Sequence, residues 1–316
     1  MKIAILIPCY NEELTITKVI EDFKRTLPDA SIYVYDNNSK DETISRAQAA
    51  GAIVRSETKQ GKGNVVRTMF REIDADVYIL VDGDDTYPVD EVKTMIDQVV
   101  HHKIDMVIGD RLSNGTYRNE NKRNFHDFGN QLVLQLVNRL FKSNLNDIMT
   151  GYRVFSRFFV KNFPALSPGF QIETEMTIFA LSYHFRIVEI PIIYRDRPEG
   201  SFSKLNTFKD GIRVLSVLSS LFKHTRPMFF FGLISLIFIV ASLLVGTPVI
   251  LEFVSTHYIT LVPSAILASG LAIVAFLFFM VALILDTQAY YNRLNFEQGL
   301  KEFISKESIR ISEDAN

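Results

Sequence analysis

Asp82-Gly83-Asp84-Asp85 places three carboxylates within four residues, directly after the apolar run Val77–Val81. Carboxylates this close repel one another, and a hard divalent cation is the economical way to offset them. Mg2+ or Mn2+ takes one or two such groups and completes its shell with water and substrate phosphate oxygens. A solvated acidic turn is the plainer alternative. Two further polar segments follow apolar runs in the same way: Pro8-Cys9-Tyr10-Asn11-Glu12-Glu13 after Ile3–Ile7, and Asp36-Asn37-Asn38-Ser39-Lys40-Asp41 after Ile32–Tyr35. Asp36, at the end of a second strand, is placed to accept a ribose hydroxyl. Turn and helix-cap chemistry accounts equally for Asn11, and for Ser39 or Asp41 ahead of a helix near Glu42. Gly61-Lys62-Gly63 lacks the loop length and the Ser/Thr of a P-loop and does not match G-x-G-x-x-G. Phosphates are therefore held in neither of those ways.

Such residues need a scaffold that gathers strand ends. Apolar β-rich runs at 3–7, 32–35, 52–55, 77–81, 106–108 and 187–194 are mostly separated by helical-period stretches at 12–26, 43–49, 64–73 and 89–101. This alternation predicts an α/β domain with a mainly parallel, Rossmann-like sheet covered on both faces. Ligands then sit at the carboxyl ends of the strands. The single cysteine, Cys9, lies inside an apolar run, which excludes a disulfide framework and reads as a small buried residue. With 34 Lys+Arg against 36 Asp+Glu, the charge balance gives no case for nucleic acid. The apolar run after Met1 is too short for a signal peptide.

The 47% apolar content is concentrated in the last third of the 316 residues. Pro227–Leu251 is 25 residues without a charge and Tyr258–Leu285 is 28. As helices these reach about 37–42 Å, more than the ~30 Å hydrocarbon core, and predict a transmembrane hairpin with spans at 227–251 and 259–285. Glu252–His257 carries no Lys or Arg, whereas Lys223 and Arg226 precede the hairpin and Arg293, Lys301 and Lys306 follow it. The positive-inside bias puts both termini in the cytoplasm, at the cytoplasmic (inner) membrane. Ser264, Ala268 and Ala272 offer a small-residue spacing for close helix approach. Phe208–Phe222 reads as an amphipathic interfacial helix. The expected organisation is a cytoplasmic domain at 1–206, a juxtamembrane helix at 207–226, the hairpin at 227–285, and a polar tail at 286–316 with a loose end.

In this order, IPCYNEE (7–13), YDNNSKDET (35–43), QGKGNVVRTMF (60–70) and VDGDDTYP (81–88) resemble the family 2 glycosyltransferases of GT-A fold. GDR (109–111), DIMTGYRVFSR (147–157), FQIETEMTIFAL (170–181) and EIPIIYRDRPEGSFSK (189–204) extend the resemblance over nearly the whole soluble part. The resemblance is to the branch of dolichyl-phosphate mannose synthase and bacterial polyprenyl-phosphate glycosyltransferases. It implies that Pro8, Tyr10, Asn11 and Glu12 line a base pocket, with Asp36 at the base or ribose and Lys62 in its neighbourhood. Asp82 and Asp84 match the D-x-D metal motif for Mg2+ or Mn2+, with Asp84 the more direct ligand and Asp85 a second-rank candidate. Arg111, Arg123, Arg197, Ser203 and Lys204 would hold the donor diphosphate and the acceptor phosphate. The family's R-x-x-G-x-S-K is one residue longer here, as Arg197-Pro198-Glu199-Gly200-Ser201-Phe202-Ser203-Lys204.

The implied reaction is inverting transfer of a sugar from a nucleotide sugar to a polyprenyl phosphate, such as undecaprenyl phosphate, for cell-envelope glycan modification. UDP-glucose or a UDP-N-acetylhexosamine is the donor favoured by analogy, and GDP-mannose is the alternative. Asp147 matches the position of a base but could equally orient Arg153 or Arg111. Of Glu173 and Glu175, at most one faces the site, and Glu173 is the choice. A processive synthase would carry a Gln-x-x-Arg-Trp motif, and the chain has no Trp. A membrane-anchored, non-catalytic nucleotide-sugar-binding subunit is the reading from another class. A hairpin of this kind also suits a homo-oligomer.

Overall fold

The computed structural model describes residues 1–113, 124–196, 219, 222–223 and 226–314. Two compact units divide the chain, Met1–Val217 and Leu218–Asn316. In the first, β1 (Ile3–Cys9), α1 (Ile16–Thr26), β2 (Ser31–Asp36), α2 (Thr43–Ala49), β3 (Ile53–Ser56), α3 (Lys62–Glu72) and β4 (Val77–Leu80) alternate in sequence. Then come α4 (Val92–Val100), β5 (Met106–Asp110), α5 (Asn124–Phe141), β6 (Arg153–Ser156), α6 (Arg157–Asn162), α7 (Ile172–Ser182) and β7 (Ile187–Pro191).

The seven strands form one sheet in the order β3-β2-β1-β4-β6-β5-β7. All pairings are parallel except those of β6, which runs antiparallel to β4 and β5. Alternation of side chains along each strand explains the two cores. Ile5, Ile7 and Cys9 of β1, Ile79 of β4 and Val154 of β6 join Ile16, Ile20 and Phe23 of α1 and Met95 of α4 on one face. Their alternates Tyr78 and Phe155 point to the other face, where Phe70 meets both rings edge-on at 6.3 and 5.7 Å. Phe159, Phe163, Phe179 and Phe185 continue that aromatic layer.

Strand order reverses between β1 and β4, because β1 continues to β2 on one side while β4 lies on the other. Cys9 pairs with Asp36, and Val81 N–H bonds Leu6 O, so the polar segments after these three strands meet at one edge. Crevices at such reversals are where α/β sheets bind ligands.

The helix read from Glu12 begins instead at Ile16. Side chains of the β2–α2 loop and of Thr43, the first residue of α2, accept from three consecutive N–H groups of the segment before α1. Asn11 N donates to Ser39 Oγ at 2.8 Å, Glu12 N to Thr43 Oγ1 at 2.8 Å and Glu13 N to Asp41 Oδ2 at 3.2 Å. Asn11, at φ 52°, returns the bond by accepting from Lys40 N. Ser39 is therefore not a helix cap, whereas Asp41 Oδ1 does take Thr43 N–H at the start of α2.

In the second unit, α8 (Pro227–Thr256) and α9 (Val262–Asp314) are long and apolar enough to cross a membrane. Glu252 closes their connection by accepting from the backbone of Thr260 and Leu261. The polar tail from 286 continues α9 as far as Asp314, and its expected loose end, 315–316, lies outside the described residues. After Asp286 the segment holds no Pro and one Gly, so nothing ends the helix. The small-residue seam also differs from the expected one. Buried Ala268, Ala275 and Ala282 recur every seventh residue, while Ala272 is exposed. Ser235 Oγ and Ser242 Oγ donate to the carbonyls of Ala275 and Ala268 at 2.7 and 2.8 Å across this seam. The expected juxtamembrane helix, 207–226, lies almost wholly outside the described residues.

Ala275→Leu should overpack the seam and cost about 1–3 kcal/mol, whereas Ala272→Leu should be neutral. Thermal unfolding of the detergent-solubilised protein, followed for both variants, checks the contrast.

Candidate active site

The acidic motif after β4 does not form a single carboxylate cluster. Asp82 Oδ1 lies 2.5 Å from Lys62 Nζ. Asp84, nearly buried, accepts from Thr86 Oγ1 at 2.6 Å. Asp85, with φ 58°, turns its carboxylate to Lys18 Nζ at 2.5 Å. Lys62 and Lys18 thus offset the charges of Asp82 and Asp85, which weakens mutual repulsion as the argument for a metal, and Asp85, the second-rank ligand candidate, is turned to Lys18. Among the described residues no group of three His, Cys, Asp or Glu side chains could hold an ion by itself. Asp82 and Asp84 still fit a hard ion of the kind that needs one or two carboxylates and takes its remaining oxygens from substrate phosphates.

Lys62 opens α3 and bridges two elements. Its Nζ is also 2.6 Å from Glu173 Oε1 in the first turn of α7. Glu173 is therefore the member of its pair that faces the site, while Glu175 accepts from Leu166 N and Ser167 N. The glycines around Lys62 have a steric cause. A Cβ on Gly61 or Gly63 would lie 2.2 or 2.0 Å from the carbonyl oxygen of Pro168 or Ser167, where the segment before α7 crosses α3.

Asp36 Oδ2 accepts from Ser39 N, but its Oδ1 is buried with no hydrogen-bond partner among the described residues. A buried acceptor left unsatisfied costs about 1–3 kcal/mol, so this oxygen is poised for a ligand donor. Pro8, Tyr10, Asn11 and Glu12 stand beside it at the end of β1, each half-buried.

The segment after α5 is fixed from below. Asp147 binds Arg111 bidentately, through Nε at 2.6 Å and Nη2 at 3.0 Å. Glu189 of β7 accepts from Asn146 N and Asp147 N at 2.8 Å. Arg153, fully buried, spends its guanidinium on the carbonyls of Ile148 and Thr150 and on Thr177 Oγ1. Tyr87 Oη accepts from Gly151 N at 3.1 Å and from Arg111 Nη1 at 3.4 Å. Sequence reasoning passed over Tyr87 and Glu189, because neither carries a local signal beyond ordinary strand-end and aromatic positions. Arg123, Arg197, Ser203 and Lys204 lie outside the described residues.

Residues 4–163 match the sequence profile described as glycosyl transferase family 2. The chain belongs to that family. RfbJ of Shigella flexneri is 55% identical over 119 residues, 37% of this chain and 92% of that protein. The dolichyl-phosphate hexose transferase of Haloferax volcanii is 28% identical over 212 residues, 67% of this chain and 90% of that one. The solved structure of glucosyl-3-phosphoglycerate synthase from Mycobacterium tuberculosis, in complex with Mn2+, UDP and phosphoglyceric acid, shares the fold. Its TM-score is 0.55 at 20% identity, covering 70% of this chain and 78% of that chain.

Electrostatics in this family 2 glycosyltransferase follow from burial and pairing. Burial alone would raise the Asp147 carboxyl, but Arg111 outweighs it and holds the pKa below the usual aspartate range. Burial likewise pulls the Lys62 ammonium down, and Asp82 and Glu173 more than reverse it, so Lys62 stays charged. Arg153, without an ion-pair partner among the described residues, is drawn down to about 10 by burial. Both oxygens of Asp147 are committed to Arg111, an arrangement suited to positioning that cation.

Asp147→Asn should cost about 3 kcal/mol at neutral pH by stranding Arg111. Because the native pKa is depressed, that stabilisation is present above the unfolded value and lost as pH falls through the native one. The gap between wild type and variant in chemical unfolding should close below about pH 4. A Cβ at position 151 would fall 2.5 Å from Asp82 Oδ2 and 2.9 Å from Lys62 Nζ. Gly151→Ala should therefore displace both groups and lower turnover about a hundred-fold, as read by product formation under saturating donor.

Proposed function

We propose that this glycosyltransferase moves a sugar from a nucleotide sugar to a polyprenyl phosphate at the cytoplasmic face of the membrane, with inversion at the anomeric carbon. The observation that carries the reading is the meeting, at the sheet's reversal point, of the Asp82/Asp84 motif with Asp36, one carboxylate oxygen of which has no hydrogen-bond partner among the described residues. The motif suits a diphosphate, and the Asp36 oxygen a nucleoside hydroxyl or base donor. Two helices fit to cross a membrane belong to the same chain, which suits an acceptor with a lipid tail. The dolichyl-phosphate hexose transferase, similar over 67% of this chain, points to the same acceptor class.

In the reaction, an oxygen of the acceptor phosphate bonds to the anomeric carbon from the face opposite the nucleotide. The bond from that carbon to the β-phosphate oxygen breaks, and the nucleoside diphosphate leaves with the electron pair. A phosphate monoester has its second pKa near 6, so the acceptor is mostly dianionic at pH 7 and needs no strong base. Asp147 then serves to aim Arg111 at a phosphate rather than to remove a proton. Asp82 and Asp84 would hold Mg2+ or Mn2+, which supplies positive charge beside the leaving diphosphate. Arg123, Arg197, Ser203 and Lys204 would add donors to the two phosphate groups. UDP-glucose or a UDP-N-acetylhexosamine is the proposed donor.

Purified protein in detergent, given UDP- and GDP-sugars with Mn2+ or Mg2+, should release nucleoside diphosphate from one donor only when undecaprenyl phosphate is present. Asp84→Ala should lower that release at least a hundred-fold. Donor binding without lipid-dependent release in any combination would overturn the reading.

A further inference from the structure

The Lys62 ammonium is shared by two carboxylates, at 2.5 Å from Asp82 Oδ1 and 2.6 Å from Glu173 Oε1. Its side chain is 9% exposed and that of Glu173 5%. With both carboxyl groups ionised the cluster has one positive and two negative charges, a poor host for a nucleoside diphosphate, and burial, which pushes the Glu173 carboxyl up against the pull of Lys62, further disfavours that negative excess. The second oxygen of Glu173, Oε2, is buried and has no hydrogen-bond partner among the described residues.

This geometry bears on the divalent ion that the proposed function calls for, and its significance rests on that function. A divalent ion approaching Asp82 meets an ammonium already on the same carboxylate. Two cations that close repel strongly where little water can screen them, so the ammonium must yield Asp82. Glu173 gives it somewhere to go. Glu173 Oε1 is already in contact, and Oε2 stands ready for a second ammonium hydrogen. Exchange of this kind brings two positive charges to the cluster and offsets its excess of negative charge, which makes the site a better host for a diphosphate.

We propose that Lys62 and the divalent ion compete for Asp82, and that Glu173 is the positioning residue that keeps the displaced ammonium inside the site beside the donor diphosphate. Glu173 sets the ion's affinity without touching it. Removing the lysine's charge removes the competitor, so the ion should bind more tightly. Neutralising Glu173 leaves Asp82 as the sole charged partner of Lys62, so the ion should bind more weakly. A role limited to stabilising the fold would shift both variants the same way.

The test is titration of Mn2+ into the detergent-solubilised full chain without nucleotide, reading free Mn2+ by electron paramagnetic resonance. Lys62→Met should tighten binding about ten-fold and Glu173→Gln should weaken it about ten-fold, each equivalent to ~1.4 kcal/mol. Lys62→Arg, which keeps the charge, should stay near wild type and guards against loss through misfolding. Shifts in the same direction, or none, overturn the competition. Lipid-dependent donor turnover measured in the same wild-type preparation separates the two claims. Turnover with unshifted affinities removes the competition and leaves the transferase, whereas opposite shifts without turnover leave the competition and remove the transferase. Absence of Mn2+ binding in all proteins overturns the competition.

Discussion

A single buried ammonium ties together the parts of this site that are far apart in sequence. Lys62 opens α3, Asp82 follows β4 and Glu173 lies in the first turn of α7, and the contacts at 2.5 and 2.6 Å fix all three against one another. Burying the Lys62 or Glu173 charge alone would cost several kcal/mol, so each is tolerable because it is paired, Lys62 also with the more exposed Asp82. Their neighbours are constrained in turn. Gly151 must lack a side chain where Asp82 and Lys62 stand, and Gly61 and Gly63 must admit the carbonyls of Pro168 and Ser167.

Around that centre the chain separates support from chemistry. Asn11, Ser39, Asp41 and Thr43 spend their polar atoms joining the β1–α1 segment to the β2–α2 loop. Arg153, Glu189 and Tyr87 fix the backbone from Asn146 to Gly151. The groups proposed to meet a ligand are few: the Asp36 oxygen that has no hydrogen-bond partner among the described residues, the Asp82/Asp84 pair and the Arg111 guanidinium held by Asp147. Preorganised groups of this kind act on a developing charge without first having to be ordered.

The second unit obeys different physics. Leu236, Leu244 and Ile266 are exposed on helices long and apolar enough to cross a membrane, a face that suits a non-aqueous surrounding. Between α8 and α9, small side chains and serine-to-carbonyl bonds at Ala268, Ala275 and Ser235 are joined by the stacking of Phe231 and Phe238 on Phe278, the kind of packing that helices use where burial of apolar surface gains little.

The sequence by itself determined the parallel sheet, the two long apolar helices, and the polar segments at the ends of β1, β2 and β4. These depend on periodicity and on residues near one another in the chain, which short-range patterns encode directly. The antiparallel β6 was not legible, because the four residues Arg153–Ser156 look like any short apolar run until two strands flank them. Partner choice among charges was equally hidden. Asp82, Asp84 and Asp85 are near-identical as a string, yet Asp84 takes the local Thr86 hydroxyl while Asp82 and Asp85 go to Lys62 and Lys18, which arrive from α3 and α1. Only tertiary structure decided that Asp147 meets Arg111 rather than Arg153, and that Glu173 rather than Glu175 reaches the site. An ion pair depends on distances of a few ångströms between elements, and those distances exist only after the sheet and its helices have packed.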